Sequence, residues 1–444
     1  MYLVFFRFID KKMTEEEQLF TIAEKRMKKT VWIMNHYATE MLINKGGRHY
    51  WIAKELKKQG YNPIIFSCNT KHGVAENYFE LDSLWNYKIN EEDIPFVIVK
   101  STCYESNGLD RIKNMIWFSI NLVRTAKQYA KEYGKPDIII ASSVHPLTVY
   151  AGEYIARVFR VPCICEIRDL WPESIFAYYP EKRKKWYAKL LLAGEKYMYK
   201  KADAIVMTWE GGPAYINEMG WDTEVPLTKI SHICNGVSLK EFKYNAEAFS
   251  YEDEDLEDTE AFKVVYTGAI RHVNKVDMLV DVADIIAKKG NPNKVKILIW
   301  GDGDKADEIK KRIKERDLDN IVMKGKVSKQ YIPSILSQGD CSLLHNASTS
   351  LDRFGHSQNK FFEYLAAEKP ILMTYAVGYS IIQKYNCGIQ LDEQNAENIA
   401  SCIDKLAQMS SDKKEILAKN ASIAAEEYDY SKLTKKLISI MESL

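Results

Sequence analysis

The stretch DIIIASSVHPLTVYAGEYIARVFRVPCICEI, residues 137–167, carries the fold in miniature. It opens on a β-rich run, Asp137–Ser142, in which Ile138, Ile139 and Ile140 follow one another without a polar break. An unbroken apolar run fits a strand covered on both faces, as in a parallel sheet. Apolar residues three and four apart then predict a helix over 147–159, and a second strand follows at Pro162–Ile167. Strand, helix and strand in that order make a βαβ unit, which predicts an α/β fold.

The same alternation extends in both directions. Towards the amino terminus it predicts strands at Val31–Asn35, Pro63–Cys68 and Phe96–Lys100, with helices near 47–59 and 109–133. Downstream it predicts a helix over 183–201 and a strand at Ala204–Thr208. The series then restarts, with strands at Lys263–Thr267, Lys296–Trp300, Asn320–Lys324, Cys341–His345 and Ile371–Tyr375, and a helical pattern from about 411 to the terminus. A chain of 444 residues exceeds what one core usually spans. We therefore expect two Rossmann-like, doubly wound domains, at 27–240 and 241–428, with a final helix at 429–444 that packs back on the first. Seven acidic residues between Glu252 and Glu260 predict a solvated linker or domain edge. Residues 1–26 read as an extension before a start near Met27.

Composition narrows the function. The 62 Lys and Arg nearly cancel the 61 Asp and Glu, so a surface built to hold nucleic acid is excluded. The eight cysteines include no Cys-x-x-Cys pair, which fits reduced thiols and a cytoplasmic protein. The apolar run MIWFSINLV at 115–123 is too short to cross a bilayer. Residues 181–201 hold eight Lys and Arg against two Glu, interleaved with Trp186, Tyr187, Leu190, Leu191, Tyr197 and Met198. Such a basic amphipathic helix suits either an anionic membrane surface, making the protein peripheral on the inner face of the cell membrane, or plain packing on its own domain.

Two doubly wound domains leave a cleft between the carboxyl ends of their sheets. Several residues at those ends could carry chemistry. Gly46 and Gly47 open a helix after the first strand and let backbone N–H groups approach an anion, although the full dinucleotide fingerprint is absent. In VVYTGAIRHVNKVDMLV at 264–280, Arg271 and Lys275 follow a glycine turn beyond the first strand of the second domain, where two cations suit a diphosphate. In GHSQNKFFEYLAAEKP at 355–370 a helix is predicted from Asn359, capped by Ser357 or Gln358, with Lys360 and Glu363 in its first turns. Glu363 could accept hydrogen bonds from a pair of ribose hydroxyls, or be an ordinary surface carboxylate. His145 and Asp169 follow strands and are expected to face the cleft. Asp169 could orient an acceptor or simply pair with Arg168. No His, Asp or Cys cluster with metal spacing is present, so no metal is expected.

The order of these elements, the strand with Gly268, Arg271 and Lys275, then IWGDGD at 299–304, GKV at 325–327 and NKFFEYLAAEKPIL at 359–372, resembles that of the family 4 glycosyltransferases. In the first half NHYATE and KGGRHYWIAKELKKQGY resemble their first strand, glycine loop and helix. EIRDLWPES at 166–174 resembles a motif of the subgroup that builds bacterial O-antigen and capsule repeats. The likeness covers 31–444 and implies a GT-B fold and retaining transfer from a nucleotide sugar, with UDP as the expected carrier and a hexosamine-type sugar. It implies that Gly47 approaches the donor phosphates, that Arg271 and Lys275 pair with the diphosphate, that backbone near Val327 holds the base, and that Glu363 binds the ribose. Asn359 and Lys360 would stand at the same helix end, His145 would contact the sugar ring, and the acceptor would be a polyprenyl-diphosphate-linked glycan. No tightly bound cofactor is implied. Two positions depart from the family pattern: Gly355 stands where many members carry a glutamate that contacts the sugar, and Glu368 replaces a small residue in the following turn. These keep a non-catalytic nucleotide-sugar binder open as an alternative, beside another GT-B activity such as epimerisation.

Overall fold

The computed structural model describes residues 29–71, 73–105 and 108–444, so the extension read at 1–26 lies outside the described residues. The first sheet holds β1 (Thr30–Met34), β2 (Asn62–Cys68), β3 (Trp85–Ile89), β4 (Pro95–Val99), β5 (Ile138–Ser143), β6 (Cys163–Ile167), β7 (Ala204–Met207) and β8 (Ile230–His232), in the order β3-β4-β2-β1-β5-β6-β7-β8. All neighbours are parallel except β3, which runs antiparallel to β4 at the edge. The second sheet is wholly parallel and holds β9 (Phe262–Thr267), β10 (Val295–Trp300), β11 (Ile321–Gly325), β12 (Cys341–Leu344), β13 (Ile371–Met373) and β14 (Gly388–Gln390), in the order β11-β10-β9-β12-β13-β14.

The triple isoleucine behaves as its pattern requires. Ile138, Ile139 and Ile140 are all buried, in register with Val31, Trp32 and Ile33 of β1. Alternate residues point to opposite layers: Ile138 and Ile140 belong to one apolar cluster and Ile139 to another. Burying each such side chain contributes about 1.5–3 kcal/mol relative to leaving it in water.

The helices that matter below are α1 (Arg48–Lys58), α2 (Leu109–Tyr133), α3 (Pro146–Phe159), α4 (Glu173–Tyr178), α5 (Pro180–Arg183), α6 (Trp186–Lys201), α7 (Gly212–Glu218), α8 (Asn359–Ala366), α9 (Ser411–Glu427) and α10 (Tyr430–Glu442). The α10 helix lies against α1, where Tyr61 Oη donates to Glu442 Oε1 at 3.1 Å. Leu433, Leu437 and Met441 share an apolar cluster with Tyr50 and Leu56, so one core runs from the first sheet into the second.

Several local expectations are corrected. Strands β3, β8 and β14 were not evident from pattern, being short or half-exposed. The helix expected over 183–201 is broken at Lys184 and Lys185 into α5 and α6. The terminal helical run divides at Tyr428 and Asp429, where the Asp429 carboxylate accepts from Ser431 N and Leu239 N. The acidic segment is not a free linker. Leu256 is buried, and Asp253 and Asp255 hold Lys324 while Asp255 and Asp258 hold Lys296. The excess of carboxylates there answers lysines on β10 and β11.

Candidate active site

In open α/β sheets the ligand crevice forms where strand order reverses direction. In the first sheet that point lies between β1 and β5, and in the second between β9 and β12. The loops leaving those strands carry most of the residues singled out by sequence.

Gly47 is the residue before α1, with φ +97°, and no side chain caps the helix, which leaves its first N–H groups open. Past β9, Arg271 and Lys275 flank the short helical turn His272–Asn274, both side chains exposed. Neither forms a side-chain ion pair among the described residues. Buried His345, just beyond β12, ties the cations together. Its Nε2 lies 2.8 Å from the Lys275 carbonyl, and its own carbonyl accepts from Lys360 Nζ at 3.3 Å. The Lys360 ammonium sits 4.3 Å from the centre of the Tyr266 ring and close enough to Gly268 that a side chain there would touch it. Burial lowers Lys360 to about 7 and His345 to about 4, the nearby cations adding to the latter. A lysine lowered to about 7 by burial gains a favourable partner from an incoming dianion.

Asn359 and Lys360 begin α8. Neither expected cap is made: Ser357 Oγ accepts from Asn235 N at 2.7 Å, and Gln358 Nε2 donates to Tyr375 Oη at 2.7 Å. The α8 N-terminus therefore keeps its unpaired N–H groups. One turn on, burial raises the Glu363 carboxyl while Lys329 opposes, its Nζ 3.9 Å away. That contact brings the loop carrying Val327, between β11 and the turn Lys329–Tyr331, beside α8.

On the other side of the cleft, Asp169 is exposed past β6. The surrounding protein raises its carboxyl, Arg168 pulls it down, and no ion pair joins the two. His145 departs from expectation. It is 1% exposed, and its Nε2 lies 2.6 Å from His36 Nδ1. Burial, with Arg111, lowers it to about 3. The ring is enclosed, packed edge-on to His36 with Thr148 Oγ1 3.4 Å from its Nε2.

Pattern alone missed the network beneath the glycine loop. Arg48 Nε donates to Glu166 Oε1 at 2.7 Å, and the guanidinium also donates to the carbonyls of Ile233 and Cys234. Glu166 Oε2 meets His49 Nε2 at 2.6 Å and Ser142 Oγ at 2.7 Å. Burial alone would raise this carboxyl, but Arg48 and His49 outweigh it and hold it well below the usual range. The available clue was a glutamate inside the apolar strand CICEI, since a buried charge demands a partner.

The two departures also have structural accounts. Gly355 has φ +98°, where a glutamate would be strained. Glu368 sits at φ 56° and accepts from Ser422 Oγ of α9 at 2.8 Å, away from the cleft. Among the described residues no three His, Cys, Asp or Glu come together to hold a metal ion, and no helix is long and apolar enough to cross a membrane.

Residues 50–241 match the family described as Glycosyltransferase Family 4, and 250–423 match Glycosyl transferases group 1. A search of curated proteins by sequence gave no match. Among solved structures, Anabaena Alr3699/HepE in complex with UDP is similar at TM-score 0.64 and 13% identity, over 94% of this chain and 100% of that one. Sucrose-phosphate synthase from Thermosynechococcus elongatus is similar at 0.65 and 14%, over 94% and 99%. The E. coli trehalose-6-phosphate protein bound with UDP-2-fluoro glucose is similar at 0.69 and 10%, over 94% and 99%. At such identities the likeness speaks for the GT-B fold, and the two family matches, one on each half of the chain, support a glycosyltransferase of family 4 type.

Proposed function

We propose that the protein moves a sugar, of hexosamine type, from a UDP-linked donor to a lipid-linked glycan with retention of configuration, in the building of a bacterial surface polysaccharide. The observation that carries this reading is that buried His345 joins the Lys275 backbone to the Lys360 ammonium at the start of the uncapped α8, on segments that follow β9 and β12, where strand order reverses, with Arg271 on the same loop as Lys275. These groups suit a diphosphate. As the bond from the anomeric carbon to UDP breaks, charge develops on the phosphate oxygens, and donors fixed there lower the barrier selectively. The acceptor hydroxyl attacks from the face that UDP leaves, and the departing diphosphate takes its proton. Glu363 binds the ribose, backbone near Val327 the base, and the N–H groups after Gly47 the phosphates. Asp169 orients the acceptor, and His145 positions the loop between β5 and α3.

Peripheral membrane attachment belongs to the same reading. Helices α2, α3 and α6 pack in succession, and their outer faces expose Leu109, Ile112, Ile116, Trp117, Ile120, Trp186 and Leu190. Trp186 is 80% exposed, with Lys184 and Lys185 beside it. The rival reading, a silent nucleotide-sugar binder, draws on Gly355, whose positive φ would strain the missing glutamate. A thermal-shift screen against UDP-, GDP- and dTDP-sugars, followed by UDP release, separates the two. A ligand at about 100 times its Kd adds roughly 2.7 kcal/mol. Stabilisation with UDP release is expected; stabilisation without release favours the binder.

A further inference from the structure

The chain between β12 and α8 carries a short helical turn, Ser350–Phe354, that belongs to the second half by sequence and to the first half by packing. Leu351 and Phe354 are buried in the same apolar cluster as residues of the first sheet, and the Phe354 ring stands edge-on to Tyr215 of α7 at 5.5 Å. Gly211 N, just ahead of α7, donates to the Phe354 carbonyl at 2.9 Å. Beside it the Arg353 guanidinium forks onto Glu218 of α7, with Nη2 to Oε1 at 2.5 Å and Nε to Oε2 at 3.2 Å. The same guanidinium donates to the Ser350 carbonyl, which closes the turn on itself.

Two glycines permit this approach. Gly211 has φ −75°, open to any residue, yet a Cβ there would stand 2.7 Å from Phe354 Cα and 2.8 Å from the Phe354 carbonyl oxygen. A Cβ on Gly378 would stand 2.1 Å from the Arg353 carbonyl oxygen, and Gly378 N donates to the Asp352 carbonyl at 2.9 Å. The turn sits in a fitted slot. Three residues further on, the first half takes hold again: Asn235 N donates to Ser357 Oγ at 2.7 Å, and Asn235 Nδ2 donates to the Ser357 carbonyl. Gly355 and His356 are strung between these two holds. The α8 helix starts two residues after Ser357, with Lys360 in its first turn. The placement of its open N–H groups thus depends on residues from the opposite half of the chain.

We propose that Arg353 and Phe354, with their seat formed by Gly211 and Glu218, are positioning residues for the donor, fixing the α8 N-terminus and Lys360 where the diphosphate is bound. The assignment rests on the donor reading above, in which none of the four touches the donor. They act through the loop 355–358. The Arg353–Glu218 pair is about half exposed on both sides, and such a pair adds little to stability. Its contribution lies in placement, because a shift of binding groups on the order of 1 Å costs up to about a hundredfold in rate.

The test measures UDP affinity by calorimetry and the Tm of the unliganded protein, for wild type, Glu218→Ala, Arg353→Ala, their double variant and Gly211→Ala. Glu218→Ala and Arg353→Ala are each expected to bind UDP about fivefold more weakly at unchanged Tm, the lower end of what coupling between distant groups gives. The double variant is expected to lose no more than Arg353→Ala alone, since the two side chains act as one contact. Gly211→Ala, which pushes the turn out of its slot, is expected to lose about tenfold or more. A surface contact with a merely structural role would leave UDP affinity where it was. UDP affinity within about twofold of wild type in both ion-pair variants overturns the proposal and leaves the donor reading standing; if Gly211→Ala does not fold, those two variants decide alone. A folded wild type that binds no UDP overturns the donor reading itself.

Discussion

Glu166→Gln isolates the buried network that joins the glycine loop to the passage between the two sheets. The native carboxylate accepts from Arg48 Nε at 2.7 Å and Ser142 Oγ at 2.7 Å, and lies 2.6 Å from His49 Nε2, with Arg48 and Glu166 both almost wholly enclosed. Neutralising it leaves a buried guanidinium without a counter-charge. Breaking one side of such a pair costs about 3–5 kcal/mol. Against a total stability of about 5–15 kcal/mol for a typical protein, that is a large fraction. Urea unfolding at pH 7.5 should therefore show the midpoint lowered by about 1 M if the slope is near 3 kcal/mol per M. Arg48 also holds the carbonyls of Ile233 and Cys234, next to Asn235, which grips Ser357 ahead of α8. Loosening Arg48 should thus weaken UDP binding in the folded variant as well. The double variant Arg48→Met, Glu166→Leu removes both charges and should lose much less than the sum of the single changes. A Glu166→Gln protein within 1 kcal/mol of wild type, or strict additivity in the double variant, would refute the claim that the network is one unit.

Arg271→Ala and Glu363→Ala should each lower kcat/KM at least tenfold, since a charge-assisted contact contributes about 1.5–3 kcal/mol, while Arg271, being exposed, leaves stability unchanged. Near-native kinetics in both would remove the proposed donor site. Lys360 predicts a pH dependence: burial lowers it to about 7, so the free protein loses this cation as pH rises through 7, and UDP affinity should fall from pH 6.5 to 8.5. Lys360→Met should bind weakly at both pH values, and a wild-type affinity flat with pH would contradict the assignment. Replacing Lys182, Arg183, Lys184 and Lys185 by Gln should reduce partition onto anionic vesicles, each cation near the surface contributing about 1 kcal/mol. Unchanged partition would make the segment ordinary surface.

The order of strands was legible wherever the strand was buried on both faces, as in Ile138–Ile140 or Val264–Tyr266, because such strands admit no polar interruption. It was not legible at β3, β8 and β14, where short edge strands mix polar and apolar residues much as loops do. Within the site, glycine turns and cations in loops could be placed from the sequence, because loop position follows from the strands beside it. Partnerships could not. Nothing local pairs Arg48 with Glu166 across 118 residues, or His145 with His36 across 109. The same lack of long-range information hid the burial of His145 and let the 252–260 carboxylates read as a solvated run. The lysines and the second histidine that answer them lie on other elements.

The central claim is retaining transfer from a UDP-sugar, and the anomer first released from the donor tests it most directly. The UDP-sugar that the protein consumes in the screen, α-linked to UDP, is incubated without acceptor, and slow hydrolysis is followed by proton NMR before mutarotation sets in. The account predicts UDP together with the α-anomer of the free sugar as the first product. Initial release of the β-anomer would contradict it.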